Sequence, residues 1–278
     1  MSDKNYYAER NGLVSRQSID FSVFKKLFLL VYKRLKNEFY FREATGYECV
    51  DEGEMTGIWG DDVGTFIYVK TWLLNVWPIE DNIGDYDETT LFTLIEFFYD
   101  YVSEPQSRRY HDWDNCGWHT WDYDKQKGKE RYIDDLDKIL MDYKGGYKLS
   151  KDGEILEIAP TVLKPLVEEL IETDNPDNID SRIHLALSKY SRYNANIDDK
   201  KESVRTLADV LEYLRKGDIK LLKSDDSDLF NLINNFDIRH HNQMQKGDYD
   251  KDVWYDWMFY TFLASIYALL KLNDKKLI

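Results

Sequence analysis

A 3.6-residue spacing of apolar side chains recurs through most of this chain, and it constrains the fold more than any other feature. Such spacing places apolar groups on one face of a helix. The pattern predicts helices that begin near residues 21, 91, 133, 160, 183, 204, 229 and 250. The last of them is apolar nearly all round, which is typical of a helix enclosed by others. The chain is therefore expected to be mostly α-helical.

One segment between the predicted helices has the pattern of a β-hairpin. Tyr147–Leu149 and 155–158 are short apolar runs, and they flank an Asp152-Gly153 pair that suits a tight turn. Two strands alone are marginally stable, so this hairpin is expected to pack on helices. Residues 51–86 show no clean period, and within them 66–74 is interpreted as a short strand or a buried turn.

The size and composition of the chain predict two soluble helical domains. Hydrophobic residues make up 43% of the 278 residues, which is enough apolar surface to build real cores. The longest apolar run, 257–270, is shorter than the ~20 residues that a membrane span needs. Turn-forming residues at 173–180 place the predicted boundary between a helical N-terminal region, 1–173, and a helical bundle, 174–278. With no secretory leader and two distant cysteines, we expect a cytoplasmic protein with free thiols and no membrane contact.

The formal net charge of −15 disfavours indiscriminate binding to nucleic acid, because Lys and Arg supply the attraction to phosphate. The charge is uneven, however. Residues 179–223 hold ten basic side chains against seven acidic ones. This stretch is where contact with an anionic ligand is expected, although ordinary solvated helix faces would give the same count.

Several familiar catalytic motifs are absent from the sequence. It has no Gly-rich loop ending in Gly-Lys-Ser or Gly-Lys-Thr, no Gly-x-Gly-x-x-Gly, no His-Glu-x-x-His and no Cys-x-x-Cys. These absences argue against nucleotide hydrolysis, dinucleotide-dependent chemistry and the common zinc enzymes. We expect no cofactor.

The densest polar cluster attached to an apolar helix is Arg239-His240-His241-Asn242. A guanidinium binds phosphate or carboxylate through a planar fork, and an imidazole moves a proton near neutral pH. These groups suit RNA cleavage, in which a 2′-hydroxyl loses a proton and the leaving oxygen gains one. The alternative interpretation is that Arg239 and His240 cap the C-terminus of the preceding helix.

A second cluster holds three candidate zinc ligands, His111, Cys116 and His119, within nine residues. A structural zinc site needs four ligands, and a fourth is not evident nearby in the sequence. An aromatic loop packed on the core is therefore favoured, and no metal is expected. The adjacent carboxylates, such as 61–62, 134–135 and 198–199, are interpreted as solvent-facing groups or helix N-caps. Asp209 and Glu212 differ, because their spacing on a helix makes them candidate partners for a basic group on a facing helix.

Several short motifs, in order along the chain, resemble abortive-infection proteins of the AbiJ type. Tyr7–Gly12 is similar to the start of that family's N-terminal domain, and the hairpin at 147–158 falls where the family has one. The paired helices of the family resemble His184–Ser191 followed by Lys201–Arg205 and Leu207–Glu212. Its Gly-Ile-Arg-His element resembles Asn235–His240.

This resemblance implies a HEPN-related helical bundle in the C-terminal half. Proteins of that group often dimerise and often act as metal-independent ribonucleases in defence against phage. Their catalytic pattern is Arg, four to six residues, then His, whereas here the histidines follow Arg239 directly and no other Arg has a His at that spacing. This departure leaves two interpretations. Arg239, His240 and His241 form a variant catalytic site, or the chain is an inactive relative that binds RNA, nucleotide or protein.

The resemblance implies roles for five residues. Arg239 would contact the scissile phosphate, His240 or His241 would be general acid or base, and Asn242 with Asp209 would orient them. The expected partners are RNA and a second copy of the chain. A catalytically inactive sensor or regulatory module that binds another protein is the alternative, and a structural helical module is a third.

Overall fold

The structure, a computed structural model, describes residues 6–11, 13, 18–159, 163–168, 173–216, 223–236, 238 and 249–276. This part of the chain is mostly helical, with short strands that pair two by two. Its α-helices are α1 Tyr7–Arg10, α2 Phe21–Asn37, α3 Arg42–Thr45, α4 Val63–Thr71, α5 Ile79–Asn82, α6 Glu88–Tyr101, α7 Lys125–Leu140, α8 Lys164–Glu168, α9 Ser181–Ser191, α10 Ile197–Arg215, α11 Lys223–Asn235 and α12 Lys251–Lys276.

The strands form four two-stranded sheets, in which β1 pairs with β2, β3 with β6, β4 with β5 and β7 with β8. The first three pairs are antiparallel. The mostly helical fold and the hairpin at 147–158 were both predicted, and the structure confirms them. The strands are β1 Gly46–Cys49, β2 Gly53–Thr56, β3 Glu104–Pro105, β4 Arg109–His111, β5 Gly117–His119, β6 Tyr123–Asp124, β7 Tyr147–Leu149 and β8 Ile155–Glu157.

The chain divides into two compact units, Met1–Ile155 and Leu156–Ile278. The division falls inside β8, whereas the turn chemistry of the sequence placed it at 173/174. The reason for the difference is the packing of α8. Its Leu166 and Val167 lie against the core of the second unit, so the residues that follow the hairpin belong with the C-terminal helices.

Aromatic packing builds the core of the first unit. The apolar stripe of α2 meets α6 and α7 there. Phe98 of α6 is fully buried, and its ring centroid lies 5.4 Å from that of Phe41 and 5.2 Å from that of Tyr32. Trp59, from the segment that follows β2, completes the group at 5.9 Å from Phe98. Such tilted ring pairs add to the stabilisation that the burial of their area gives.

Helices α9 to α12 provide the core of the second unit. Apolar residues of α10, such as Val204 and Leu207, pack with Phe259 and Phe262 of α12, and all four are buried. The periodicity of the sequence predicted each of these helices. Within the described residues, no helix is both long enough and apolar enough to cross a bilayer.

Carboxylate and amide side chains cap many of the helices. Asp62 accepts a hydrogen bond from the backbone N–H of Thr65 at 3.0 Å, and Asp87 accepts one from Thr90 at 2.7 Å. Asn196 and Asp199 form a reciprocal capping box at the start of α10. Part of the acidic excess is thus used at helix N-termini, as the sequence predicted.

The carboxylate of Asp135 departs from that prediction. Its side chain is only 2% exposed, although the Asp134-Asp135 pair was interpreted as solvent-facing or capping. It lies 2.6 Å from Arg34 of α2, and 2.9 Å from Arg131 and 3.1 Å from Lys138 of its own helix. Asp135 therefore links α7 to α2 through a buried carboxylate with three cationic partners.

Gly128 of α7 lies at a close approach of two backbones in the first unit. A Cβ at this position would lie 2.5 Å from the Cα of Ser103. We expect Gly128→Ala to destabilise the protein by about 1–3 kcal/mol, because the overpacking outweighs the gain in helix propensity. Urea unfolding measures the effect. Gly84→Ala is the control, since a Cβ there would meet no atom within 4 Å, and equal midpoints for the two variants would contradict the packing argument.

Candidate functional site

Four of the five residues assigned to the site from the sequence, Arg239, His240, His241 and Asn242, lie outside the described residues. The fifth, Asp209, lies on α10 and lines a polar cavity of about 200 Å³. Glu212 lines the same cavity, and so does Arg182 of α9, a basic group on a neighbouring helix. The remaining lining residues are Asn178, Tyr213 and Lys216.

The described residues on either side of 239–248 pack against apolar side chains. Ile238, directly before Arg239, is 2% exposed and belongs to the core of the second unit. On the far side, the ring centroid of Tyr249 lies 5.2 Å from that of Phe236. The chain therefore enters residues 239–248 and leaves them close to the same buried aromatic ring, next to the start of α12.

Two tryptophans lie on the first turns of α12, close to those flanks. Trp254 is 38% exposed and Trp257 is 44% exposed, and their ring centroids are 5.3 Å apart. Trp254 also contacts Phe236, with 5.5 Å between ring centroids. Partly exposed indole rings of this kind offer a surface on which a base or another aromatic group can stack.

A polar network lies in the same unit and lines a cavity of about 430 Å³. The hydroxyl of Tyr190 donates to Asp256 at 2.6 Å, and the Tyr190 ring stacks on Phe259 with 3.6 Å between centroids. The Lys200 ammonium donates to the same carboxylate at 2.9 Å and to Asp252 at 3.2 Å. These bonds hold the first turns of α12 against α9 and α10.

The network keeps its protons near neutral pH. Burial, followed by the hydrogen bond to Asp256, raises the pKa of Tyr190 far above its ordinary value. Burial alone would lower the pKa of Lys200, but its bonds to Asp256 and Asp252 outweigh that effect and raise it. Tyr190 and Lys200 therefore keep their protons at neutral pH, and their hydrogen bonds position the first turns of α12.

In the first unit, four sulfur- and nitrogen-bearing side chains converge at the ends of two hairpins. They are Cys49, at the end of β1, and His111, Cys116 and His119 of the β4–β5 hairpin. One ligand atom from each lies within 4.8 Å of the others. Among the described residues, no second group of three or more His, Cys, Asp or Glu side chains converges in this way.

The distances within this Cys/His cluster are short. Cys116 Sγ lies 3.0 Å from His119 Nε2, and Cys49 Sγ lies 3.8 Å from His111 Nδ1. The other ring nitrogen of His111, Nε2, lies 3.0 Å from the carboxylate of Asp51. Cys49 is buried and the other three members are partly buried, so the cluster is largely shielded from water.

Local backbone geometry explains how neighbours in sequence supply three members of the cluster. Asp114, Asn115 and Gly117 have φ values of 49°, 55° and 96°. Asp and Asn accept this left-handed region more readily than most residues, and Gly accepts it without strain. The turn they form places Cys116, directly before β5, close to His119 of β5 and to His111 across the hairpin.

The sequence identified three members of this cluster and missed Cys49. That residue lies sixty-two positions before His111, so no local spacing connects them. Comparisons of the chain with models of known protein families, with curated proteins and with solved structures found no match. Function is therefore inferred from the residues and their geometry.

Proposed function

We propose that this chain is a cytoplasmic anti-phage protein of the abortive-infection type, whose C-terminal unit has a HEPN-like role and acts on or binds RNA. Arg239 contacts phosphate, and His240 or His241 moves the protons of metal-independent cleavage. Asn242 and Asp209 orient these groups. Two copies pair about a two-fold axis, which brings two such segments together.

The observation that carries the proposal is the position of the segment's flanks. Ile238 and Tyr249 are the described residues on either side of 239–248, and Tyr249 lies just before α12, a helix of 26 residues. The N-terminus of a long helix favours anions, because its first backbone N–H groups and its dipole face them. A guanidinium and two imidazoles attached there add to the attraction for a phosphodiester.

Trp254 and Trp257 extend this surface toward bases. Base stacking on an aromatic side chain contributes about 1–3 kcal/mol per base and tolerates any base. The carboxylates of Asp252 and Asp256 lie on the same turns, but Lys200 forms ion pairs with both. These ion pairs partly offset the negative charge of the two carboxylates. Because exposed indole rings stack on unpaired bases, single-stranded RNA is the nucleic acid that this surface fits best.

The exposed apolar side chains of α12 favour a second candidate function. Val253, Trp254 and Trp257 would also suit a protein partner, in which case the chain would be a regulatory or sensor module without catalysis. Capture of a stable partner, together with no binding of any RNA tested, would favour this alternative. If phage resistance survives the combined change of Arg239, His240 and His241, a purely structural module is favoured.

Replacing both tryptophans tests RNA binding. We expect Trp254→Ala/Trp257→Ala to weaken the Kd for a single-stranded RNA oligonucleotide by about 10- to 100-fold, because a stacking contact is worth about 1–3 kcal/mol. Fluorescence anisotropy with labelled RNA measures this at constant salt. Trp72→Ala is the control, since Trp72 is an exposed tryptophan of the first unit. Equal affinity in the double variant and the wild type would refute the stacking role.

A further inference from the structure

We infer that Cys49, His111, Cys116 and His119 form a structural zinc site that joins the β1–β2 and β4–β5 hairpins of the first unit. This inference does not depend on the proposed action on RNA. It rests on the donor set, the distances, the second partner of His111 and the surroundings of the Cys116 sulfur.

The donor set is the first argument. Two thiolates and two imidazoles make up one of the common four-ligand sets of structural zinc sites. Two thiolates also balance the charge of Zn²⁺, so the occupied site can lie in a shielded place. Because all four positions are taken by protein ligands, none is left open for a substrate or a catalytic water.

The separations are the second argument. In a tetrahedral site with zinc bonds of about 2.0–2.3 Å, ligand atoms lie about 3.3–3.8 Å apart. The distance of 3.8 Å from Cys49 Sγ to His111 Nδ1 already has this size, and the distance of 3.0 Å from Cys116 Sγ to His119 Nε2 is slightly shorter. No pair exceeds 4.8 Å, so ligation requires the furthest pair to approach by at most about 1.5 Å.

The contact between Asp51 and His111 is the third argument. Zinc-bound histidines commonly donate their second ring N–H to a carboxylate, which fixes the tautomer and the orientation of the ring. His111 has this arrangement, since Nε2 lies 3.0 Å from Asp51 Oδ2 while Nδ1 faces the cluster. The lone pair of Nδ1 is thereby directed at the cluster, where the metal would bind.

A hydrogen bond holds the Cys116 sulfur beside Cys49. The backbone N–H of Val50 donates to this sulfur at 3.5 Å. Because Val50 directly follows Cys49, the contact ties the β4–β5 hairpin to the end of β1.

A nucleophilic Cys116–His119 pair is the competing chemistry for these residues. In such a pair the orienting carboxylate would contact the histidine that activates the cysteine. Here Asp51 contacts His111 instead, and Cys49 and His111 approach the same point. A dyad would not use these two side chains, whereas a four-ligand metal site uses all four.

The test is the zinc content of full-length protein that carries no polyhistidine tag, measured by atomic emission after dialysis against metal-free buffer. We expect about one zinc per wild-type chain, as for one four-ligand site, and loss of that zinc in Cys49→Ser and in His111→Asn. His184→Asn is the matched histidine control, because His184 is exposed on α9 of the other unit. It should retain the metal.

Asp51→Asn tests the metal site without disturbing the fold. The Asp51 side chain is more than half exposed, so its replacement should leave the protein folded. Competition with a chromogenic chelator should show zinc affinity lower by about 10- to 100-fold. Asp112→Asn, at an exposed carboxylate of the β4–β5 loop, should leave the affinity unchanged. Equal affinity in Asp51→Asn and Asp112→Asn would remove the proposed role of the carboxylate.

Cobalt substitution keeps the inference testable if the ligand variants do not fold. Wild-type protein loaded with Co²⁺ should show the visible bands of a tetrahedral site and thiolate-to-metal charge transfer in the near ultraviolet. Wild-type protein that has neither zinc nor these bands would overturn the inference. A Cys49–Cys116 disulfide in protein purified from a reducing cytosol would overturn it as well.

Discussion

Arg239→Ala is expected to reduce RNA degradation by about 100-fold or more, because the loss of a single preorganised donor to a developing oxyanion costs about that much. The guanidinium would bind the phosphate through two parallel N–H groups, and alanine offers none. The assay is the rate of cleavage of labelled RNA in the presence of EDTA, so that added metal plays no part. The variant should unfold at the same urea concentration as the wild type.

Arg10→Ala is the control for this prediction. It removes one positive charge from an exposed side chain of the first unit, away from the residues assigned to the site. It should leave the cleavage rate close to the wild-type value. If Arg239→Ala cleaves RNA as fast as Arg10→Ala does, Arg239 does not act in cleavage.

The two histidines predict a pH profile for the same reaction. One imidazole must be neutral to accept the 2′-hydroxyl proton, and one must be protonated to donate to the leaving oxygen. Cleavage should therefore be fastest at intermediate pH, and His240→Gln or His241→Gln should remove one limb of this bell-shaped profile.

A growth test measures the same function in cells. Toxicity during phage infection should disappear when Arg239→Ala replaces the wild type.

The largest expected effect on stability comes from Asp135→Ala. We expect a loss of about 3 kcal/mol, which is the lower end of the cost of breaking a buried ion pair. The lower end applies because Arg34, Arg131 and Lys138 are 43–70% exposed and regain water once the carboxylate is gone. What remains is the loss of two charge-assisted hydrogen bonds and of the ion pair with Arg34, together with a void between α2 and α7.

Urea unfolding followed by tryptophan fluorescence measures the effect of Asp135→Ala. Asp134→Ala is the control, because Asp134 is its exposed neighbour on the same helix. Its effect should stay within about 0.5 kcal/mol, as for most surface substitutions. A similar small effect for Asp135→Ala would show that the buried carboxylate does not stabilise the contact of α7 with α2.

Periodicity was sufficient to predict most of the long helices. The stripes of α2, α6 and α10 are regular, and burial follows them closely, as at Phe24, Leu91 and Leu207. The prediction was wrong for 66–74, most of which lies in helix α4. That helix is rich in aromatic and β-branched residues and buries only Ile67, so no stripe is visible. Its Asp62 N-cap was the sequence signal that could have identified it.

Contacts between residues distant in sequence account for what the sequence could not predict. Cys49 joins His111 only because two short hairpins meet, and strands of three or four residues leave little periodic signal. The sequence around Asp135 is typical of a surface carboxylate. Its side chain is buried because helix α7 packs against α2, where Arg34 forms an ion pair with it. The assignment of residues 239–242 to a site that acts on RNA stays a prediction, because these residues lie outside the described part of the chain.

The central claim, that RNA binds at the head of α12, is tested most directly by photocrosslinking. Full-length protein would be irradiated with single-stranded RNA that carries 4-thiouridine, and the modified peptides would be identified by mass spectrometry. Crosslinks are expected in the peptides that span residues 236–257, including Trp254 or Trp257. Crosslinks confined to the first unit, or none at RNA concentrations that saturate binding, would contradict it.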